Sequence, residues 1–246
     1  MTDVIVPTSA EEAAAAFGDG GGITVLAGGT LVVPAIKLGR LRPERTLFLG
    51  RAGLDGIERA NGTVKIGATT PIAALVEGAP EPLATFARHV GNHEIRGQAT
   101  IGGNLCAPSG GTTPVGDLQA PLLALGARIR SVGAGGERTD SIDDFLAAGP
   151  VGRLVLGIEV DAPKRAATAA VRRPHAHAYS VLAVAAAETA DGVRIAVLGA
   201  GPRAVRVASA EQALADVDPQ DDALASAWYR RQVLPGLVER ALEGLR

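Results

Sequence analysis

Val25-Leu-Ala-Gly-Gly-Thr-Leu31 joins an apolar, strand-like run, Ile23–Leu26, to a segment that reads as a helix beginning at Thr30. A strand–Gly-Gly–helix junction exposes backbone N–H groups, lacks side chains that would block approach, and sits at the positive end of a helix dipole. Such a junction suits a phosphate or pyrophosphate. One glycine pair by itself reads more readily as a tight turn that needs positive φ. A second stretch changes the balance. Ile95-Arg-Gly-Gln-Ala-Thr-Ile-Gly-Gly-Asn-Leu105 repeats the order of Thr, a Gly-Gly pair and a small polar residue. Two such loops in one body suit the two halves of a diphosphate better than either suits a turn. Asp117, in Val115-Gly-Asp-Leu118, is placed to hydrogen-bond ribose hydroxyls, and reads equally as a helix N-cap.

Outward from these loops the chain reads as an α+β body followed by a smaller strand–helix unit. Val4–Val6 is a short strand. Ser9-Ala-Glu-Glu12 is a capping box that opens an alanine-rich helix to about Phe17. Strands are expected at Thr46–Leu49 and Thr63–Ile66, and helices near Pro71–Val76 and Pro82–Val90. Asn92 to Ser109 is polar and aperiodic and reads as an ordered loop. Asp117 starts an apolar helix through Leu125, and Ala127–Val132 and Arg153–Val160 are strands. Beyond Asp161-Ala-Pro-Lys164 the pattern becomes antiparallel: Ala169–Arg173, Tyr179–Thr189 and Val193–Leu198, with Asp191-Gly192 as a hairpin turn. Ser209-Ala-Glu-Gln212 caps a short helix, and Asp222–Leu245 is largely helical. The change of pattern sets domains at 1–165, with subdomains of about 1–50 and 51–165, and at 166–246.

Composition narrows the function classes. The 24 basic residues nearly balance the 26 acidic ones, so no strong field invites nucleic acid or an anionic membrane. Aromatic residues make up only 3% of the chain, too few for base-stacking platforms. Glycine is the outlier at 32 of 246 residues, which implies many tight turns and close backbone approaches. Cys106 is the single cysteine, so neither an internal disulfide nor a thiolate-held cluster is available. No apolar run reaches the roughly 18 residues of a membrane span, and Met1-Thr-Asp-Val4 lacks the basic and apolar regions of a secretory signal. The expectation is a soluble, cytoplasmic protein without a metal site of its own.

Several segments mimic other chemistries. Gly199-Ala-Gly-Pro-Arg-Ala204 fits the relaxed dinucleotide pattern, but Pro202 and the β-rich stretch after it oppose the long helix which that pattern requires. His175-Ala-His177 has no carboxylate or thiol nearby to complete a metal site. His89 and His93 flank the second loop as solvated histidines, and Cys106 reads as a small packing residue beside it. Neither a Gly-x-Ser-x-Gly elbow nor a Walker loop is present.

Leu26-Ala-Gly-Gly-Thr-Leu-Val-Val-Pro-Ala-Ile-Lys37 resembles the first flavin motif of the FAD-binding subunits of molybdenum hydroxylases. These include the medium subunit of carbon monoxide dehydrogenase and the flavin domain of xanthine dehydrogenase. Ile95-Arg96 with Ala99-Thr-Ile-Gly-Gly-Asn-Leu105 resembles their second motif, and Gly116-Asp117 the acidic position that follows. Gly199–Arg206, Glu211–Leu214 and Ser226-Ala-Trp-Tyr-Arg-Arg231 are similar to their closing segments, in order, so the resemblance runs through essentially the whole chain. It implies a vanillyl-alcohol-oxidase, or PCMH-type, FAD fold: two α+β subdomains clasp the cofactor, and a C-terminal domain of three strands and helices follows. It also implies that FAD carries the chemistry, with no catalytic side chain of the protein's own. A molybdenum-pterin large subunit and a small 2Fe–2S subunit are expected as partners, in a dimer of heterotrimers. NAD, a quinone or oxygen would take the electrons.

Carried onto this chain, the cofactor-binding residues are Leu26, Ala27, Gly28, Gly29, Thr30, Leu31 and Val32 in the first loop. In the second they are Thr100, Ile101, Gly102, Gly103 and Asn104, and Asp117 and Val155 complete the set, Val155 as a flavin-ring contact. Both loops would bind the pyrophosphate mainly through backbone N–H groups, and Thr100–Asn104 is the more typical half of the clasp. The sequence departs from the pattern in three places. Leu31 stands where an acidic residue is usual, Gly97 where Asn commonly follows Ile-Arg, and the Cys106–Val115 stretch is long. Arg172 is the candidate for a basic residue near the ring. Two other functions fit the same residues: a stand-alone flavin-dependent oxidoreductase, and a nucleotide-binding interaction module without redox activity.

Overall fold

The computed structural model describes residues 3–107, 116–172 and 179–246. His175 and His177, Arg173 and most of the Cys106–Val115 stretch lie outside these residues.

The chain opens with two β–α steps. Strands β1 (Asp3–Ile5), β2 (Ile23–Leu26) and β3 (Arg45–Phe48) form a parallel sheet in the order β1-β3-β2. Helix α1 (Ala10–Phe17) links the first two strands, and α2 (Val32–Lys37) the second pair. The capping box of α1 forms at one remove. Ser9 Oγ accepts from Glu12 N at 3.2 Å, while Glu12 reaches back to the N–H of Thr8 at 2.7 Å. Helix α2 begins two residues after Thr30, because Thr30 and Leu31 remain in the turn.

A second sheet follows, built from β4 (Ile57–Ala60), β5 (Thr63–Gly67), β6 (Arg128–Gly133), β7 (Gly136–Ser141) and β8 (Leu154–Asp161). It is antiparallel in the order β4-β5-β8-β6-β7. Its helices are α3 (Ile72–Gly78), α4 (Leu83–Arg88), α5 (His93–Gln98), α6 (Ile101–Leu105), α7 (Gln119–Leu125) and α8 (Ile142–Ala148). Strand β8 serves two cores. Leu154 and Leu156 pack with Leu47, Leu49 and Phe17 of the first sheet, whereas Val155, Ile158 and Val160 face the larger core under α7. A register shift opposite, between Arg130 and Ser131 of β6, lets one strand change face in this way.

The C-terminal unit is an antiparallel sheet of β9 (Arg165–Arg172), β10 (Ser180–Thr189), β11 (Gly192–Leu198) and β12 (Val205–Val207), with α9 (Ala227–Glu243) against it. The unbroken apolar run of β10 follows from covering both faces. Ala183, Ala185 and Ala187 join the core of the body, while Leu182, Val184 and Ala186 join the core under α9. Three consecutive alanines on the inner face leave room for α7. Buried Arg230 ties α9 down, with Nη2 on Asp222 and Nε and Nη1 on the carbonyls of Val181, Gln220 and Ala225.

The structure corrects several expectations. Asn92 to Ser109 is not an irregular loop where described: it holds α5 and α6, of 6 and 5 residues. Helices this short show no 3.6-residue period. They are set instead by side-chain caps, Asn92 Oδ1 to Ile95 N at 2.8 Å and Thr100 Oγ1 to Gly103 N at 3.1 Å. The C-terminal sheet has four strands, not three, since β12 adds an edge. Ser209 caps only a turn, and the last helix begins at Ala227 rather than Asp222, where the Asp222 side chain is engaged with Arg230. Gly199 leads into β12 and not into a helix, which removes the dinucleotide pattern at 199–204.

Candidate functional site

The two glycine loops touch. A Cβ at position 28 would lie 1.9 Å from the Gln98 carbonyl oxygen and 3.0 Å from Ala99 Cα, so only glycine lets the first loop seat against the turn between α5 and α6. Gly29 next to it has φ +74°, the left-handed conformation that glycine adopts without strain. Together the loops wall a cleft of about 420 Å³, within the usual range for a cofactor or ligand site. Twelve of the fourteen sequence-predicted residues line it: Ala27–Val32, Thr100, Gly102–Asn104, Asp117 and Val155. Leu26 and Ile101 do not. Leu26 ends β2, with its carbonyl accepting from Leu49 N at 2.9 Å, and Ile101 is fully buried behind the second loop.

The two loops differ in what they offer. Among the described residues, the N–H groups of Gly28, Gly29, Thr30, Leu31 and Val32 make no hydrogen bond, although the carbonyls of Gly29 and Leu31 accept from Val33 and Ala35. In the second loop the four amides from Ile101 to Asn104 are engaged. Ile101 N donates to Thr70 O at 3.1 Å, Gly102 N to Ala68 O at 2.9 Å, Gly103 N to Thr100 Oγ1 at 3.1 Å, and Asn104 N to Thr100 O at 2.9 Å. Asn104 Oδ1 in turn accepts from Leu118 N at 2.9 Å. The first loop therefore leaves a row of backbone N–H groups without a partner among the described residues, whereas four amides of the second are engaged within the protein. Leu31 lines the cleft and supplies no polar side chain to it.

Asp117 is buried and faces the cleft, and its carboxylate makes no hydrogen bond to any other described residue. It does not cap α7. The Gly116 carbonyl accepts from Gln119 N at 3.1 Å, so the turn moves the N-cap to Leu118. Burial pushes the Asp117 carboxyl up to about 7, opposed by its own backbone N–H and by the charge of Arg172. Arg172 does not line the cleft; its Nη2 donates to the His89 carbonyl at 3.3 Å. His89 is held below the usual imidazole range by burial, then by Arg172, Arg88 and Arg96, while His93 begins α5.

Two lining residues, Tyr179 and Arg153, were not anticipated in these roles. Tyr179 directly precedes β10, and its hydroxyl is pushed up by burial and by the nearby Asp117. Arg153 precedes β8. Its guanidinium is bound by Ser131 and Asp140 and lies 4.6 Å from the centre of the Phe145 ring. Nothing in the sequence marks it, because its partners come from β6, β7 and α8. Cys106 lines the cleft with a thiol that burial pushes up to about 12, so it is neutral and unreactive, in keeping with a packing role. Among the described residues no group of His, Cys, Asp or Glu is placed to hold a metal. No helix there is long and apolar enough to cross a membrane.

Comparison with known proteins gives a concordant result. Residues 1–161 match the family described as the FAD binding domain in molybdopterin dehydrogenase. The alpha subunit of the 6-hydroxypseudooxynicotine dehydrogenase complex of Paenarthrobacter nicotinovorans is 29% identical, over 98% of this chain and 93% of that protein. The medium chain of carbon monoxide dehydrogenase of Hydrogenophaga pseudoflava is 28% identical, over 96% of this chain and 94% of its own length. A solved structure of carbon monoxide dehydrogenase from Hydrogenophaga pseudoflava, lacking the Mo-pyranopterin moiety, superposes with a TM-score of 0.86 at 26% identity. It covers 99% of this chain and 96% of that one.

Proposed function

The chain belongs to the family of FAD-binding domains of molybdopterin dehydrogenases, and from that premise we propose that it is a flavin subunit holding one FAD in the two-loop cleft. The observation that carries this assignment to particular atoms is a row of five amides, Gly28 to Val32, and a buried carboxylate at Asp117, none of which has a hydrogen-bond partner among the other described residues. Backbone N–H groups without side-chain obstruction are the donors that a pyrophosphate needs. Asp117 supplies an acceptor for ribose hydroxyls, and Val155 an apolar surface for the ring. The second loop fits the group differently, by packing against Gly28 so that the first loop keeps its shape.

The bound flavin supplies the electron-carrying chemistry. The protein's residues hold it, orient it and exclude water, and no side chain is needed as nucleophile or general base. We divide the chain at 1–165 and 166–246 and place it in a cytoplasmic complex. A molybdenum-pterin large subunit would oxidise the substrate there, and a 2Fe–2S small subunit would deliver electrons, in a dimer of heterotrimers. NAD, a quinone or oxygen would then receive them. The relatives named above support this arrangement, being subunits or chains of larger dehydrogenases.

Purified protein is expected to be yellow, with flavin absorbance in about equimolar amount. Gly29→Val should abolish that absorbance while circular dichroism still reports a folded chain. Folded, colourless protein that FAD does not reconstitute would overturn the assignment. Turnover by the isolated chain with a small reductant and acceptor would favour a stand-alone oxidoreductase instead.

A further inference from the structure

Arg153 is a cation built into the wall of the cofactor cleft. Its side chain is only 10% exposed, and three neighbours fix it. Nε and Nη2 donate to the fully buried Ser131 hydroxyl at 3.2 and 2.7 Å, and Nη2 also donates to Asp140. The third neighbour is Phe145, whose ring centre lies 4.6 Å from the guanidinium carbon. Nη1 is shut off from solvent and has no hydrogen-bond partner among the described residues. For stability alone, apolar side chains of similar volume would serve as well as a buried ion pair.

The charge is only partly offset. Asp140 also accepts from Arg138, so one carboxylate serves two guanidiniums. Arg138 above all, and Arg153 after it, hold the Asp140 carboxyl below the usual aspartate range against its own desolvation. Exposed Asp144 acts on Arg138 from the surface. The position of the cation is equally definite. Arg153 and Val155 are two residues apart in an extended run and face one side, while Leu154 between them packs into the core of the first sheet. Ser131, which holds the guanidinium, is the residue of β6 paired with Val155. The cation therefore sits at the Val155 end of the cleft, where its charge also acts on Cys106.

We infer that Arg153 raises the flavin's reduction potential, as a fixed positive charge that favours the reduced ring over the oxidised one. The inference rests on the flavin-subunit assignment, with the ring at Val155. Two electrons come from the iron–sulfur donor of the proposed complex, and one proton from solvent forms an N–H bond on the ring. A neutral ring thereby gains a single negative charge. Charge beside the ring is one of the levers by which a protein tunes a flavin. A cation in a wall closed to solvent is screened little, and one pinned on three sides acts without reorganising.

The test is a spectroscopic redox titration of the purified flavoprotein with dithionite and reference dyes. Wild type is compared with Arg153→Gln, Arg153→Lys and Asp140→Asn. Arg153→Gln should lose about ten- to hundredfold of the preference for reduced over oxidised FAD, which lowers the two-electron midpoint by about 30–60 mV. Arg153→Lys keeps the charge without the fork, and its midpoint should stay near wild type. Asp140→Asn leaves both guanidiniums uncompensated and should raise the midpoint. A packing role would lower stability in all three variants without this change of sign. A yellow Gln variant with the wild-type midpoint overturns the inference, and so does a Lys variant as low as Gln. If the Gln variant holds no flavin, Asp140→Asn decides: a raised midpoint sustains the inference, and an unchanged or lowered one overturns it. Wild type without flavin overturns the functional assignment instead.

Discussion

The two glycine loops share a sequence pattern and divide the labour of one site. In Ala27–Val32 the amides from Gly28 onward are unspent; in Thr100–Asn104 the amides of Ile101, Gly102, Gly103 and Asn104 are all committed to neighbouring carbonyls or to the Thr100 hydroxyl. On the proposed reading the first loop is a set of donors, and the second is the support that fixes its shape. A Gly-Gly pair is therefore two different devices. It gives a ligand access to N–H groups in one place, and it lets protein backbone approach protein backbone in the other.

Gly28 joins the two devices, so its substitution should produce the largest effect. In Gly28→Val the new side chain begins 1.9 Å from a carbonyl oxygen of the main chain, which has no flexible end to move aside. The loops must separate, and flavin content should fall below detection with a loss of stability of several kcal/mol, on the scale of about 3 kcal/mol or more. Flavin absorbance and urea unfolding measure the two effects. A folded, fully yellow variant would show that contact between the loops is dispensable.

Gly102→Ala probes the support alone. Its Cβ would meet Ala68 O at 2.8 Å and Ala68 Cβ at 3.0 Å, a tight contact that disturbs the bond from Gly102 N to Ala68 O. A destabilisation of about 1–3 kcal/mol is expected, with a smaller loss of FAD affinity than in Gly28→Val. Affinity lost with no change in unfolding midpoint would instead make Gly102 a direct contact and erase the contrast between the loops.

Asp117 sharpens the comparison from the far side of the cleft. Its carboxyl is raised from the ordinary aspartate value to about 7, so without flavin its contribution to stability is complete below about pH 4 and is lost as pH rises through 7. Ribose hydroxyls donate to the ionised form, so FAD should bind more tightly as pH rises through 7 and should release a proton on binding. Asp117→Asn is expected to weaken FAD by about tenfold, the worth of a hydrogen bond to a charged acceptor, and to flatten both pH profiles. Flavin titrations and thermal melts at about pH 6 and about pH 8 read this. An unchanged profile in the Asn variant would show that Asp117 is not the group that titrates there.

The sequence showed much of this site and little of its division of labour. Glycine pairs, Thr and Asp are local signals, and twelve of the residues carried over by resemblance do line one cleft. Two of the second loop's amides, Ile101 N and Gly102 N, find their partners in Thr70 and Ala68, some thirty residues earlier, which nothing local to Thr100 reveals. Arg153 was invisible for the same reason, because its environment comes from three other elements. In the fold, long apolar runs such as Ser180–Thr189 were legible, and the polar edge strands β4 and β7 were not. Ile57–Ala60 and Gly136–Ser141 carry mostly exposed polar side chains, so no alternation marks them. The short helices of 93–105 failed likewise, being set by caps rather than by periodicity.

Thr100→Val has the smallest expected effect and separates the two devices most finely. The Thr100 hydroxyl accepts from Gly103 N at 3.1 Å and lines the cleft, so it could serve the loop or the cofactor. If the second loop is a support, removing the hydroxyl costs the energy of an N-cap, about 1 kcal/mol, and lowers the unfolding midpoint accordingly. It also frees Gly103 N. That amide then becomes a sixth unengaged donor at the cleft wall, and FAD affinity should hold or rise slightly. If the hydroxyl itself binds the pyrophosphate, FAD affinity falls by about tenfold whatever happens to stability. Unfolding midpoint and FAD affinity therefore move in different proportions under the two readings, and the pair of measurements on one variant decides between them.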